Sequence, residues 1–542
     1  MRRASFIVAM TMVTAAGCAG QAGTDDGTSA TTSAALSAAQ QAGHDTWFKS
    51  TFGGQHFFSQ ILPAPPFNLA LGFDTILTSD RNTRFETYGV VNDPDCVQGD
   101  ASSGYLDKCA DDAAMFAGED INGASAGIVG VRKFYDRASG KVLVGVSCAG
   151  CHAGLDAQNP PANPDHPGWA NINATTGNQY LAVGKIFGAH LSPNDPRYQV
   201  FHTWAPGTVD TTAIESDGIN NPGIITQFFS LNKRPYFDNT ENGAPIDPNG
   251  VHRAGQGGED DAGCEAAALR VYFNIGMCGG ECMIGHLANG PGGTQTPIDQ
   301  AQCAQVCPDF VAAQTAVKNM CAFMATTTPP SLAAAPGGAS HITGDKHVLQ
   351  RGQAVFASNC ASCHGGAIAS DDQIHPAAEI GTNSCRSKTT NWEAGHIWAA
   401  FSSDQYKARP THGPGYYRDV PLVGVWATAP FFHNNRLGVY NADPSVGGRV
   451  AAYEEAMGEL LNPLSRNILG SVQTTTAPIT VSAAGISLTL PTGTPVAAFA
   501  NLNPANPLDN LCPDFFENQG HYFGAFLSPS DKHALTEYLK TR

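Results

Sequence analysis

Two short segments constrain this chain more than anything else in it. They are Cys-Ala-Gly-Cys-His at Cys148, Cys151 and His152, and Cys-Ala-Ser-Cys-His at Cys360, Cys363 and His364. Cysteines three residues apart on a helical turn put both sulfurs on one side, and the following histidine sets an imidazole beside them. That pattern is the attachment signal of a c-type haem, with the histidine as proximal iron ligand. A dithiol redox pair or half of a zinc site is the alternative for either copy alone. A thioredoxin-like pair needs a strand-to-helix setting within a βαβ unit, which neither segment shows in the sequence. The expectation is two covalently bound c-type haems, with iron ligands His152 and His364.

Export follows from the first eighteen residues. Arg2 and Arg3 precede an apolar run through Phe6, Ile7, Val8 and Met12, which ends at Ala15-Ala16-Gly17-Cys18. The run is too short to cross a bilayer as a helix and reads as a secretory signal. Small residues before Cys18 resemble a lipoprotein processing site, with plain cleavage as the alternative. The expected location is extracytoplasmic, periplasm or cell surface, with a tether to the outer membrane through a lipid on Cys18.

Of the fifteen cysteines, four lie in the motifs and one is Cys18, leaving an even ten. In an oxidising compartment these read as disulfides. Cys96 is expected to pair with Cys109 and Cys385 with Cys512, while the six from Cys264 to Cys321 pair among themselves. Within that group, Cys278/Cys282 and Cys303/Cys307 have a spacing unlike the usual CxxC metal-ligand pairs.

The 542 residues divide into a signal (1–17), a flexible Ala/Gly/Thr/Ser tether (18–44), an N-terminal haem domain (45–335) with a cysteine-rich insert (264–321), and a C-terminal haem domain (336–542). With 59 glycines, 35 prolines and only 14% charged residues, loops should surround short helices. Helices are expected over Ala301 to Met324, Val450 to Leu460 and Pro529 to Leu539, and a hairpin over Ile479 to Gly493. The fold class is mainly α with extensive loops and a few short strands, arranged as two cytochrome c-like haem domains. A net charge of −17 excludes nucleic acid as a partner class.

The two haem motifs, together with GVWATAPFFHNN at Gly424 to Asn435 and QGHYFGAFLSPSDKHALTEYLK at Gln519 to Lys540, resemble the large di-haem cytochromes of the bacterial cytochrome c peroxidase superfamily. GGQHFFSQILP, RFETYGVVNDPDC and FHTWAPGTVDTT extend the likeness through the first domain, and its nearest branch is the di-haem rubber oxygenases. The insert between Cys264 and Cys321 departs from that pattern. The resemblance implies a reactive haem on His152 and a closed one on His364 with His521 as distal ligand; His433, Tyr440 and Met457 are the rivals by position or type. It implies an oxidoreductase, a dioxygenase that cleaves C=C bonds of an apolar polyisoprenoid with dioxygen. The alternatives are a peroxidase fed by a small electron-donor protein and a noncatalytic electron-transfer cytochrome.

Trp204, Phe228 and Phe229 are the candidate lining of the reactive pocket, with core packing the plain alternative for each ring and an electron-relay role the further alternative for Trp204. A peroxidase would instead draw a proton-transferring pair from His166, His190 and Glu215. Arg409, or Arg418, could neutralise haem propionates through a bidentate contact. If Cys18 carries a lipid, Cys18→Ser moves the protein from the membrane pellet to the supernatant, and the mature wild-type N-terminus carries acyl mass.

Overall fold

The computed structural model describes residues 35–65, 68–117, 122–208, 305–365, 374–385, 416–418, 420–483, 486–500, 502–503, 506–510, 512 and 514–542. Phe228, Phe229, Glu215, Arg409, Cys18 and most of the 264–321 insert lie outside them.

Ala38–Arg542 forms one compact unit. Its first helix, Ala38–Lys49, starts inside the small-residue stretch read as tether and buries Trp47 and Phe48. It lies along the helix Pro308–Met324, which buries Val317, Met320 and Phe323. The crossing requires Gly43, because a Cβ there would stand 1.9 Å from the Asn319 carbonyl oxygen.

An antiparallel sheet follows, built from Ala124–Ser125, Val131–Asp136 and Lys141–Val146, with the two long strands paired from Val131 opposite Val146 to Asp136 opposite Lys141. Their turn is closed by the Asp136 carboxylate, which accepts from the Ala138 and Ser139 amides. The last strand runs directly into the helical turn Ala149–His152. The first cysteine motif therefore does follow a strand, contrary to the sequence reading, though from an antiparallel sheet and not a βαβ unit.

Below this sheet a polar core is organised by one carboxylate. Asp107, with a fully buried side chain, accepts from Arg81 and, at 2.7 Å, from Arg84 Nη1. The guanidinium groups spend their other donors on loop carbonyls. Arg84 reaches Leu77 and Ser79, and Arg81 reaches Asp93 and Gly127. The neighbouring strand pair Cys96–Val97 and Lys108–Cys109 carries the Cys96–Cys109 disulfide.

In the second half, helix Lys346–Asn359 packs on the last helix Pro529–Leu539, with Gly352 against the Ala534 carbonyl. Asp345 and Ser528 cap them by accepting from the His347 and Asp531 amides. With helix Val446–Leu461 they enclose Phe356, Trp426, Tyr453, Met457, Leu535 and Leu539. The terminal helix occupies the expected residues, and the hairpin forms from Ile479–Ala483 and Ile486–Leu490. Helix Val446–Leu461 extends the expected span at its start, and Pro308–Met324 is shorter than expected.

The description as two cytochrome c-like haem domains is corrected. Helices, short strands and abundant loop are present, but the topology is mixed: thirteen strands in six small sheets among the described residues. The physical reason is the run from Val131 to Val146, whose burial alternates where the strands cover the core. Among the described residues no helix is long and apolar enough to cross a membrane.

Asp107→Asn leaves two guanidinium groups buried without a countercharge. It should destabilise the protein by about 3–5 kcal/mol, seen as a lowered urea midpoint with an unchanged slope.

Candidate functional site

The site that the fold assembles most completely lies where the second cysteine motif meets the turn before the last helix. Helix Lys346–Asn359 ends at Cys360, and the short helix Ala361–His364 carries His364 outward. His364 Nδ1 lies 2.8 Å from the Val420 carbonyl oxygen. A carbonyl only accepts, so Nδ1 bears the proton and Nε2 the lone pair, the tautomer of a metal-ligating histidine.

His521 faces it, with ring centroids 6.3 Å apart and planes at 43°. Its backbone is held at φ 50°, in the left-handed region, next to Gly520 at φ 88°. A side chain rarely adopts that conformation, so the surroundings must enforce it. Three contacts do so. The His521 amide donates to the Ile380 carbonyl at 2.7 Å, and Gly520 packs so closely that a Cβ would stand 2.2 Å from the Thr382 nitrogen. Arg466, between the rings of Phe432 and Tyr522, donates to the Asn518 and Gly520 carbonyls at 3.0 and 2.7 Å.

The held ring is apolar in its surroundings. Phe523 meets it edge-on at 5.2 Å and Phe432 lies at 6.4 Å. Burial first, and then the neighbouring His364, pulls the His521 pKa down to about 4. The imidazole is neutral at neutral pH, and its Nδ1 is buried without a hydrogen-bond partner. Such an orphan costs about 1–3 kcal/mol unless something bonds to the ring.

The ring separation can be tested against metal ligation. Two imidazoles bonded on opposite sides of one ion, each at about 2.0–2.1 Å with the ring centre roughly 1.1 Å beyond, put their centroids about 6.3 Å apart. A tetrahedral angle would bring them to about 5 Å. The observed 6.3 Å matches opposed ligation.

The first motif has a different setting. His152 lies 6.2 Å from the buried Trp47 ring, and Cys148 Sγ is 3.9 Å from Met320 Sδ. The other nominated residues disperse. Trp204 joins Phe187 and Phe201 in an aromatic cluster. His166 meets Asn82, and His190 pairs with Asp74 at the surface. Met457 is buried in the core, Tyr440 has its pKa pushed up to about 12 by burial, and His433 lines a separate cavity. Arg418 belongs to a strand, Tyr416–Arg418, paired with Ile374–Pro376.

The cysteine chemistry corrects the cofactor reading. The bonds formed among described cysteines are the disulfides Cys96–Cys109 and Cys385–Cys512, both as expected, and Cys307 and Cys321 are also disulfide-bonded. Cys148, Cys151, Cys360 and Cys363 are not joined in disulfides. Burial pushes the Cys151 pKa up to about 12 and that of Cys360 up to about 11, which disfavours their thiolate forms. The same shift argues against a thioredoxin-like pair at Cys148 and Cys151. The clusters Cys385/Cys512/Asp514 and Cys109/Asp111/Asp112 offer no thiolate ligand while their sulfurs are cross-linked.

No protein-family model matches the chain. Over 114 residues it is 32% identical to the uncharacterised protein y4iM of Sinorhizobium fredii (strain NBRC 101917 / NGR234), a match covering 16% of this chain and 26% of that protein. The chain thus spans about a quarter of the length of the curated relative it matches. With the cross-linking of the described cysteines accounted for by disulfides, a mixed topology and no matching family model, the two covalent haems on Cys148/Cys151/His152 and Cys360/Cys363/His364 are withdrawn. So are membership of the di-haem peroxidase superfamily and the dioxygenase, peroxidase and electron-carrier activities that rested on it.

The histidine turn itself is testable. Gly520→Ala adds a methyl at positive φ against the Thr382 backbone and should cost about 2 kcal/mol or more. The expected readout is a lowered urea midpoint together with faster hydrogen exchange at the His521 amide.

Proposed function

We propose that this is an exported, disulfide-cross-linked metal-binding protein whose centre is the opposed pair His364 and His521. The observation that carries the reading is the 6.3 Å spacing of two imidazoles, one buried, neutral and missing a partner at Nδ1. The hydrogen bond from His364 Nδ1–H to Val420 orients the second ring and raises the basicity of its other nitrogen. Opposed imidazoles suit an ion that accepts ligands across its diameter, such as copper(II) or nickel(II), and not tetrahedral zinc. The ion would draw its remaining ligands from beyond the histidine pair.

Export is supported by two features. The basic-then-apolar Met1–Cys18 segment has the form of a secretory signal. The disulfides suit an oxidising compartment.

Elemental analysis of the full chain, purified without chelator, should find one transition-metal ion per molecule. His521→Ala and His364→Ala should each weaken its retention at least about a hundredfold, while His433→Ala leaves it intact. X-ray absorption should show two imidazole nitrogens on the ion. Metal-free wild type, retention unchanged in both variants, or a tetrahedral zinc spectrum would overturn the reading.

A further inference from the structure

The first cysteine motif lies on a turn whose backbone is pinned at both ends. Gly130, at φ 75°, packs so closely that a Cβ there would stand 2.0 Å from the Gly150 nitrogen, and its carbonyl accepts from the Ser147 amide at 2.8 Å. The Cys151 carbonyl accepts from the Asn178 amide, also at 2.8 Å. Cys148 has helical backbone angles, φ −53° and ψ −38°, so Cys148 and Cys151 stand one turn apart on the same face.

A third sulfur comes to Cys148 from the helix Pro308–Met324. Met320 is 1% exposed, and its place is set by the crossing with helix Ala38–Lys49, where Gly43 lets the two backbones meet beside Asn319 and Met320. Its Sδ lies 3.9 Å from Cys148 Sγ. Two sulfurs bonded to one ion at about 2.3 Å each stand about 3.8 Å apart at a tetrahedral angle and about 4.0 Å apart at a trigonal one. The observed spacing falls between these values. Neither cysteine of the turn is joined in a disulfide, although the same chain closes Cys96–Cys109 and Cys385–Cys512.

Two cysteine sulfurs and a thioether make a soft donor set, which hard cations such as magnesium and calcium do not seek. An iron–sulfur cluster asks for four cysteines and structural zinc for four ligands, so three sulfurs favour a soft monovalent ion. Cys151 also packs on the apolar cluster that holds Ile76, Leu77, Val90 and Leu181, which shields such an ion from water. We infer that Cys148, Cys151 and Met320 form a copper(I) site of two thiolates and one thioether. On binding, each cysteine gives up its thiol proton to solvent, two copper–thiolate bonds form, the Met320 sulfur donates a lone pair, and the metal keeps its oxidation state.

The site is independent of the histidine pair, and its test removes that pair. The full chain carrying His364→Ala and His521→Ala is titrated with copper(I) in the absence of oxygen, in competition with bicinchoninate. One tightly held copper(I) is expected, which Cys148→Ser weakens at least about a hundredfold and Cys360→Ser leaves in place. Met320→Leu keeps the buried volume and should weaken binding about tenfold, with X-ray absorption falling from three sulfur neighbours to two. That variant reads the site should a cysteine variant fold poorly. The assignment is overturned by copper(I) lost wholly to bicinchoninate, by nitrogen neighbours in place of sulfur, or by retention unchanged in folded Cys148→Ser and Met320→Leu. It is equally overturned if Cys148 and Cys151 resist alkylation in the denatured, chelator-treated chain because their sulfurs already carry another group.

Discussion

A chain that folds largely as loops leaves many backbone carbonyls without a helical or sheet partner, and buried arginines supply the missing donors. Arg84, Arg132, Arg449 and Arg466 each direct a guanidinium at carbonyl oxygens of turns that have no regular ladder. An unpaired buried carbonyl costs as much as a lost hydrogen bond. A single guanidinium carries five donors. Arg449 also ties the halves of the sequence together, donating to the Ala429 carbonyl while lying near the Tyr180 hydroxyl and ring. Gln179 to Ala427 and Asn435 to Pro206 add polar contacts across the same seam.

The histidine pair depends on this device. Arg466 holds the backbone on both sides of Gly520, and the glycine admits the close approach to Thr382 that turns His521 inward. The strain of a left-handed histidine is thus borne by hydrogen bonds at His521 itself, at Gly520 and at Asn518. The result is a neutral ring that faces His364 before any ligand arrives, so little ordering remains to be done on binding.

Features set by neighbouring residues were legible in the sequence. The terminal helix is announced by Ser528-Pro529 and its apolar spacing, the hairpin by β-branched runs on either side of Ala484-Gly485, and the short-range Cys96–Cys109 bond by parity and spacing. His521 entered only through the resemblance, and its left-handed backbone is set by contacts with Ile380, Thr382 and Arg466 from distant parts of the chain. The strands Val131–Asp136 and Lys141–Val146 leave a trace in the sequence, a β-branched and aromatic alternation around the Ser139-Gly140 turn, that the sequence reading above does not use. The cysteine motif that follows them misled, because three residue types fix a spacing and not the bonds their sulfurs make. The cavity that His433 lines could not be read in advance. Thr203, Arg436 and Glu517 come from distant parts of the chain and meet only in the folded molecule.

The Cys385–Cys512 bond has a consequence in time. It joins residues 127 apart, and both Cys385 and the neighbouring Asp514 border the cavity. Cys385 is synthesised long before its partner, and until then its thiol coexists with the earlier cysteines. Correct pairing must wait for the intervening helices and hairpin to exist. The same bond therefore joins a cavity-lining residue to the segment that leads into the histidine turn. A chain interrupted before Cys512 would carry the second CxxCH turn but neither the locking bond nor the residue that faces it.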